Sequence, residues 1–169
     1  PAQAADLALQ AYRRFGSIDQ FLLGLGIYAE LGDDTALGKA LESLGAQADR
    51  IAEHDVQFLL LRAQHFQRKN KPELVWADLR RALRLSPNDK DVVLTSLWFM
   101  IDQNRTDVLP DFMRDHADLA AKETAFWQAY AVGNQVLERH REAVYWYAKI
   151  LAGKLDDPLM LLNYADALE

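Results

Sequence analysis

Apolar residues between positions 56 and 87 recur with the spacing of two helices joined by a short polar turn. Two stripes follow the i, i+4, i+7 pattern of one helical face: Leu59, Ala63 and Phe66, then Val75, Leu79 and Ala82. Asn70 and Lys71 interrupt the pattern between the stripes. Pro72 suits the first turn of a helix, and Pro87 ends the second stripe. This segment therefore predicts a helix–turn–helix pair.

The same phase recurs along the chain. Leu79, Met113 and Tyr147 follow one another at intervals of 34 positions. Further apolar stripes lie on both sides of the central pair: Phe21, Leu25 and Tyr28; Leu37, Leu41 and Leu44; Val93, Leu97 and Met100; Leu109, Met113 and His116; Trp127, Tyr130 and Ala131; Ala143, Tyr147 and Ile150. A chance match would not keep its phase over several units. The pattern predicts an all-α chain of repeated helix pairs.

The spacing resembles the tetratricopeptide repeat, a helix–turn–helix unit of about 34 residues. With Pro87 as the terminal proline of a unit, the central segment fills the positions of that repeat: Ala63 is the first small residue, Phe66 the large aromatic, Leu79 the second large residue and Ala82 the last small one. Asn70 takes the turn usually given to Gly, and Val75 replaces an expected Ala. The resemblance implies tandem helix–turn–helix repeats stacked as a right-handed superhelical solenoid. It also implies that the first helices line a concave binding groove.

We expect a single array, cut from a longer chain. Its predicted parts are a half-unit 1–16, units of about 17–53, 54–87, 88–119 and 120–157, and a half-unit 158–169. The first half-unit is one helix, with Leu7 or Ala8, Tyr12 and Phe15 at repeat positions. Gly45–Glu53 is predicted to be a polar connection, lengthened by about four residues relative to the repeat. A turn is expected around Glu138–Arg141.

Composition narrows the class of protein. Half of the residues are hydrophobic, which is enough for a core and argues against disorder. No apolar run reaches the roughly 18 residues that a membrane span needs. The chain has no cysteine, so disulfides, thiolate metal sites and a cysteine nucleophile are excluded. The net charge of −6 disfavours nucleic acid as a partner, because nucleic-acid grooves are basic.

That charge is unevenly spread. Positions 62–84 carry a net charge of +5, so the rest of the chain carries −11. We define a basic patch by six of the residues: Arg62, Lys69, Lys71, Arg80, Arg81 and Arg84. One interpretation is a solvated face of one repeat. The other is a docking surface for an acidic partner.

The sequence offers no catalytic or metal-binding motif. The four histidines, His54, His65, His116 and His140, match no short metal-ligand spacing. His116 falls on a predicted core position, which favours a packed neutral imidazole. Nucleophile elbows, glycine-rich phosphate loops and dinucleotide-binding fingerprints are missing. We therefore expect neither enzymatic activity nor a cofactor.

The repeat register predicts which side chains line the concave groove: Gln57, Leu60, Gln64, Arg68, Leu94, Trp98 and Asp102. Aromatic and Arg side chains in a concave site are typical of interaction hot spots. A structural role for Trp98 is an equal alternative, and Trp127 and Trp146 are expected in the core. Related repeats that grip the acidic C-termini of chaperones use a Lys/Asn/Lys/Arg clamp. The corresponding positions here hold Leu60, Gln64, Leu94 and Trp98, which disfavours a co-chaperone role.

The resemblance implies a non-catalytic protein–protein interaction scaffold. The degenerate, Trp-rich, cysteine-free units are more narrowly similar to the periplasmic repeat regions of bacterial exopolysaccharide export outer-membrane proteins. Those regions recruit polymer-modifying enzymes in biofilm assembly. A direct polysaccharide-binding module, using Trp98 and the basic patch, is one alternative. A cytoplasmic assembly adaptor is another.

The last predicted helix has no second helix to pack on. The residues of this helix that continue the apolar spacing of the repeat are Leu161, Tyr164, Ala165 and Leu168. The side made of Leu161, Tyr164 and Leu168 should face water, and an apolar face of this kind drives association. We therefore predict weak self-association through this end.

Overall fold

The computed structural model describes residues 2–152 and 158–168, with backbone only at 158–161. All regular secondary structure in these ranges is helical, which confirms the all-α prediction. The chain divides into two compact units, unit 1 over residues 1–87 and unit 2 over residues 88–169.

Unit 1 contains six described helices: α1 (Ala2–Phe15), α2 (Ile18–Leu31), α3 (Asp34–Ser43), α4 (Gln47–Ala52), α5 (Val56–Arg68) and α6 (Pro72–Leu85). Aspartates begin two of them, because Asp33 Oδ1 accepts from the Ala36 N–H and Asp55 Oδ1 from the Phe58 N–H. Helix α1 packs on α2, α5 packs on α6, and both α2 and α3 contact α5. The predicted stripes form the core, with Ala63, Leu79 and Ala82 all buried.

Unit 2 contains six described α-helices and a short 3-10 turn: α7 (Lys90–Asp102), α8 (Leu109–Asp115), α9 (Ala117–Lys122), the 3-10 turn Thr124–Phe126, α10 (Trp127–Val136), α11 (His140–Leu151) and α12 (Pro158–Leu168). Asp89 caps α7 by accepting from two backbone N–H groups. The Tyr130 hydroxyl donates to the Met113 carbonyl at 2.7 Å, which ties α10 to α8. Helix α11 packs on both α10 and α12.

Four turns between helices share one backbone geometry. In each, one residue adopts a left-handed conformation: Gly32, Asn70, Asn104 and Glu138. The next residue's N–H then donates to the carbonyl five positions earlier, as from Lys71 to Phe66 and from Arg139 to Asn134. Asn70, Asn104 and Glu138 lie 34 positions apart, whereas Gly32 lies 38 positions before Asn70. The turns therefore keep the phase of the apolar stripes and show the four extra residues of the second predicted unit.

Two predicted stretches differ in the structure. Gly45–Glu53, predicted as a polar connection, contains the short helix α4. Ala52 is fully buried there, and α4 packs on α5, so tertiary packing rather than polarity decides the conformation. The stripe from Leu109 to His116 does not continue as one helix. His116 leaves the helical region (φ −112°, ψ 18°) and separates α8 from α9. It is half-buried, with its ring centroid 4.4 Å from that of Phe112.

The terminal helices also differ from the predicted register. Phe15, predicted at a repeat position, ends α1 and is 73% exposed, and Gly16 after it is left-handed. On α12, Ala165 and Leu168 are exposed, and Tyr164 is half-buried. Ala167 is buried with Tyr147 in the core beside α11, so the packed face of α12 runs through Tyr164 and Ala167. The side chain of Leu161 lies outside the described residues.

Candidate partner-binding surfaces

A groove with a volume of about 390 Å³ lies between α2 and α5. Its lining residues are Leu22, Gly26, Ala29, Glu30, Gln57, Leu61 and Gln64. We call this surface the α2/α5 groove. Positions 22, 26 and 29 on α2, like 57, 61 and 64 on α5, follow the i, i+4, i+7 spacing of one helical face. Two regular helices therefore present one lining face each.

Small residues make the floor of the α2/α5 groove. A Cβ placed on Gly26 would meet no heavy atom within 4 Å, and Ala29 adds only a methyl group. Leu22 and Leu61 supply apolar walls, while Gln57 and Gln64 supply amide donors and acceptors. Glu30 is the one charged residue among the lining residues. The groove combines apolar contact with neutral hydrogen-bonding groups.

The predicted groove residues of α5 divide in the structure. Gln57 and Gln64 line the α2/α5 groove together with Leu61, which is not in the predicted set, whereas Leu60 is not among the lining residues. Leu60 is half-buried. The spacing 57, 61, 64 marks Leu61 as the member of this face, and it could have been recognised from the helical period alone.

Arg68 is engaged within unit 1. Its Nη1 donates to Asp34 Oδ1 at 2.7 Å, and its Nη2 donates to the Ala29 carbonyl at 3.1 Å. These bonds tie the end of α5 to the start of α3 and to the end of α2. The guanidinium therefore holds three helices together beside the α2/α5 groove.

The other predicted groove residues lie on α7 in unit 2. Leu94 and Trp98 are half-buried, and Asp102 is exposed. Helix α7 packs on α10 and α8 and contributes seven buried residues: Val92, Val93, Ser96, Leu97, Phe99, Met100 and Ile101. Leu94, Trp98 and Asp102 recur at helical spacing on the side of α7 that is not fully buried.

A second concave region, of about 540 Å³, adjoins α6. Its lining residues are Asp49, Arg62, Phe66, Leu74, Ala77, Asp78, Arg80, Arg81 and Arg84. We call it the arginine pocket. It contains four members of the basic patch, whereas Lys69 and Lys71 lie in the turn between α5 and α6. The structure thus brings together only part of the basic patch.

Arg62 in this pocket is held by a buried ion pair. Its Nε and Nη2 donate to the two carboxylate oxygens of Asp78 at 2.8 and 2.6 Å. The side chains are 13% and 6% exposed, and Asp49 lies 3.7 Å away on the outer side. Burial alone would lower the pKa of Arg62, but the hydrogen bonds and charge of Asp78 outweigh it and raise that pKa above its ordinary value. Arg62 therefore links α5 to α6 as a structural residue.

The other three arginines of the pocket are less constrained. Arg81 approaches Glu53 at 3.8 Å, and Arg80 lies over the Trp76 ring at 5.9 Å from its centroid. Arg84 forms no ion pair with any residue in the described part of the chain. These side chains carry the positive charge that the pocket presents to solvent.

Aromatic side chains cluster in unit 2 around one lysine. Lys149 Nζ lies 4.7 Å from the ring centroid of Trp127, 4.9 Å from that of Trp146 and 5.4 Å from that of Tyr145. Trp127 Nε1 also donates to the Ala120 carbonyl at 3.0 Å, and Trp146 packs against the core beside α11. Both tryptophans were predicted in the core; they are half-buried and lie at its edge, where they hold helices of unit 2 together.

Two further features concern chemistry and membranes. Within residues 2–152 and 158–168, no three His, Asp or Glu side chains are grouped as a metal site would require. None of the helices in the same ranges is both long and apolar enough to cross a membrane.

Comparison with known families gives one match. The model of the tetratricopeptide repeat matches residues 1–169. No curated protein and no solved structure matches the chain.

Proposed function

The chain belongs to the tetratricopeptide repeat family, and from this premise we propose that it is a non-catalytic scaffold that binds another protein in the α2/α5 groove. Repeats of this family generally mediate protein–protein interactions. The observation that carries the proposal is the groove itself: two regular helices enclose about 390 Å³ over a floor of Gly26 and Ala29.

The lining residues favour a particular kind of partner segment. Leu22 and Leu61 offer apolar contact, and the amides of Gln57 and Gln64 can pair with a peptide backbone or with polar side chains. Glu30 gives the groove a negative charge, so it favours a neutral or basic segment over an acidic one. Arg68, the basic residue among those predicted to line the groove, forms an ion pair with Asp34.

We propose further that this partner belongs to a bacterial exopolysaccharide export assembly and that the chain works in the periplasm. The support is compositional: the repeats are degenerate, rich in Trp and free of cysteine. On this proposal the partner is a polymer-modifying enzyme. Direct polysaccharide binding through Trp98 and the basic patch draws less support, since Trp98 is half-buried and Arg62 of the patch is held by Asp78.

Filling the groove tests the proposal. Gly26→Trp puts a large ring into open space on the groove floor, whereas the control Gly26→Ala adds one methyl group. Either substitution replaces a helical glycine, so both should fold, and Gly26→Ala should gain roughly 0.5–1 kcal/mol of stability.

The measurement is capture of partner proteins by the immobilised chain, from separate periplasmic and cytoplasmic extracts of the source cells. We expect the wild type and Gly26→Ala to retain the same proteins and Gly26→Trp to lose them. Retention by Gly26→Trp would overturn the assignment of the groove. A partner found only in the cytoplasmic extract would overturn the periplasmic proposal and leave the scaffold proposal standing.

A further inference from the structure

The arginine pocket beside α6 is a surface separate from the α2/α5 groove, and no step of the proposed function uses it. We propose that it docks an acidic segment of a protein partner. Aspartate or glutamate carboxylates of that segment pair with Arg80, Arg81 and Arg84, and its apolar side chains rest on Leu74 and Ala77.

Part of the positive charge of the arginine pocket is already neutralised within unit 1. Asp78 takes up the charge of Arg62 through two short hydrogen bonds. Asp49 remains on the rim, and Glu53 is 3.8 Å from Arg81, beyond hydrogen-bond distance. Arg80 and Arg84 have no carboxylate partner among the described residues. The pocket therefore presents excess positive charge on a chain whose net charge is −6.

Apolar side chains lie on the same face of α6. Leu74, Ala77, Arg81 and Arg84 follow one another at helical spacing, and each lines the pocket. Leu74 is 43% exposed and Leu85, at the end of the same helix, is 39% exposed. Exposed leucines among arginines, beside the Trp76 ring that Arg80 covers, make the mixed surface typical of a protein interface.

The same features argue against a nucleic acid as the occupant. A phosphate backbone carries closely spaced charges and would meet the carboxylate of Asp49 in the pocket lining. Leu74 and Ala77 would offer nothing to phosphates. A protein segment that alternates acidic and apolar residues matches both parts of the surface.

The two surfaces of unit 1 prefer opposite charges. The α2/α5 groove contains Glu30 and no basic residue among its lining residues, whereas the arginine pocket contains four arginines. A partner segment that fits one is therefore poorly suited to the other. The inference stands if the groove proposal fails, and it can fail while the groove proposal stands.

The test uses the whole chain and a fluorescein-labelled peptide of alternating glutamate and leucine, with fluorescence anisotropy as the readout. The pocket variant is Arg81→Glu/Arg84→Glu. Its matched control is Lys69→Glu/Lys71→Glu, which changes the net charge equally at basic-patch positions outside the pocket. A peptide with glutamine in place of glutamate tests the carboxylates, and a single-stranded oligonucleotide tests the competing class of ligand.

We expect the pocket variant to bind the acidic peptide about tenfold or more weakly than the control variant does, because reversed charges repel the carboxylates. Added salt should weaken the wild-type complex. The glutamine peptide should bind much less than the acidic one. The inference is overturned by undetectable binding to the wild type, by equal losses in the two variants, by equal binding of the glutamine peptide, or by tighter binding of the oligonucleotide.

Discussion

The helix pair α5/α6 in unit 1 and the pair α10/α11 in unit 2 share a plan and differ in what joins their helices. Each pair turns through a residue in the left-handed conformation, Asn70 in one and Glu138 in the other. Across α5/α6 the polar link is the buried Arg62–Asp78 ion pair. Across α10/α11 the side-chain hydrogen bond is neutral: the Tyr147 hydroxyl donates to Gln135 Oε1 at 2.9 Å, and the Lys149 ammonium lies over the Trp127 ring.

This comparison distinguishes the buried apolar positions, which both helix pairs share, from the polar link between helices, which differs from pair to pair. Both pairs bury residues at equivalent positions of the repeat: Val75 and Leu79 in α6 correspond to Ala143 and Tyr147 in α11. The polar link is not part of that shared plan. A buried ion pair makes α5/α6 depend on both partners at once, because either charge left alone is costly to keep out of water. The neutral link should make α10/α11 more tolerant.

We expect the largest loss of stability when a charge replaces a small residue buried between the helices. Ala82→Glu places a carboxylate at a fully buried position that has no room and no partner for it. We expect a loss of about 4 kcal/mol in the stability of unit 1, and a similar loss in unit 2 from Ala143→Glu, which is equally buried. Thermal unfolding followed by circular dichroism measures both. Gln64→Glu, at an exposed position, is the control, and equal melting of Ala82→Glu and Gln64→Glu would refute the repeat register.

Removing the polar links should distinguish the two pairs. Asp78→Ala leaves Arg62 buried with only Asp49 at 3.7 Å, so we expect a loss of about 3 kcal/mol. Tyr147→Phe removes one neutral hydrogen bond and should cost about 1 kcal/mol. Urea unfolding of each variant gives the comparison. The double variant Arg62→Met/Asp78→Leu should recover most of the first loss, and a cost of Asp78→Ala no larger than that of Tyr147→Phe would contradict the contrast.

Substitutions in the turns should change stability less than those above, and they should increase it. Glu138 has φ 56°, a conformation that costs a residue with a long side chain about 1 kcal/mol relative to glycine. Glu138→Gly should therefore stabilise the α10/α11 pair by up to about 1 kcal/mol. Asn70→Gly should change stability less, because asparagine tolerates the left-handed conformation. Melting temperatures of the two variants suffice, and a larger gain at Asn70 would count against this explanation of the turns.

The smallest expected effect is a pH dependence confined to unit 1. Burial, with a further contribution from Lys69, lowers the pKa of His65, although Asp34 and Glu42 act in the opposite direction and Lys71 in the same one. The unfolded chain then takes up a proton near the ordinary value of 6.5 while the folded unit stays neutral. Stability is therefore fully present above that pH and falls as the pH drops below it.

Amide hydrogen exchange can localise this effect. Protection of α5 and α6 should fall between about pH 7.5 and about pH 5.5 more steeply in the wild type than in His65→Gln. Protection of α10 and α11 should be the same in both proteins. His140→Gln, at an exposed position on α11, serves as the control. A pH dependence that survives unchanged in His65→Gln would exclude the imidazole as its source.

Several parts of the fold followed from the sequence because they depend on local periodicity. Leu79, Met113 and Tyr147, which recur every 34 positions, are all buried. Asn70 and Asn104, at the predicted turns, both adopt the left-handed conformation. The family match over residues 1–169 has the same origin. A repeated spacing of small and large residues is a property that a sequence displays directly.

Other features of the fold depend on which residues contact one another across helices, and the sequence alone does not predict them. The sequence places Arg62 in a basic patch, but its partner Asp78 lies 16 positions away on the next helix. The signal available was Asp78 itself, a charged residue beside Leu79 within an apolar stripe. The break of the α8/α9 stretch at His116 has no comparable signal, since the apolar spacing continues through it.

The central claim is that the α2/α5 groove holds a protein segment, and site-specific photo-cross-linking in cells tests it most directly. A benzophenone amino acid replaces Gln64 in the groove, and in a separate control it replaces Gln103, which is exposed after α7. We expect a discrete protein adduct from position 64, unchanged by Gly26→Ala and abolished by Gly26→Trp, with no such adduct from position 103. An adduct that persists in Gly26→Trp, or that forms equally from position 103, would contradict it.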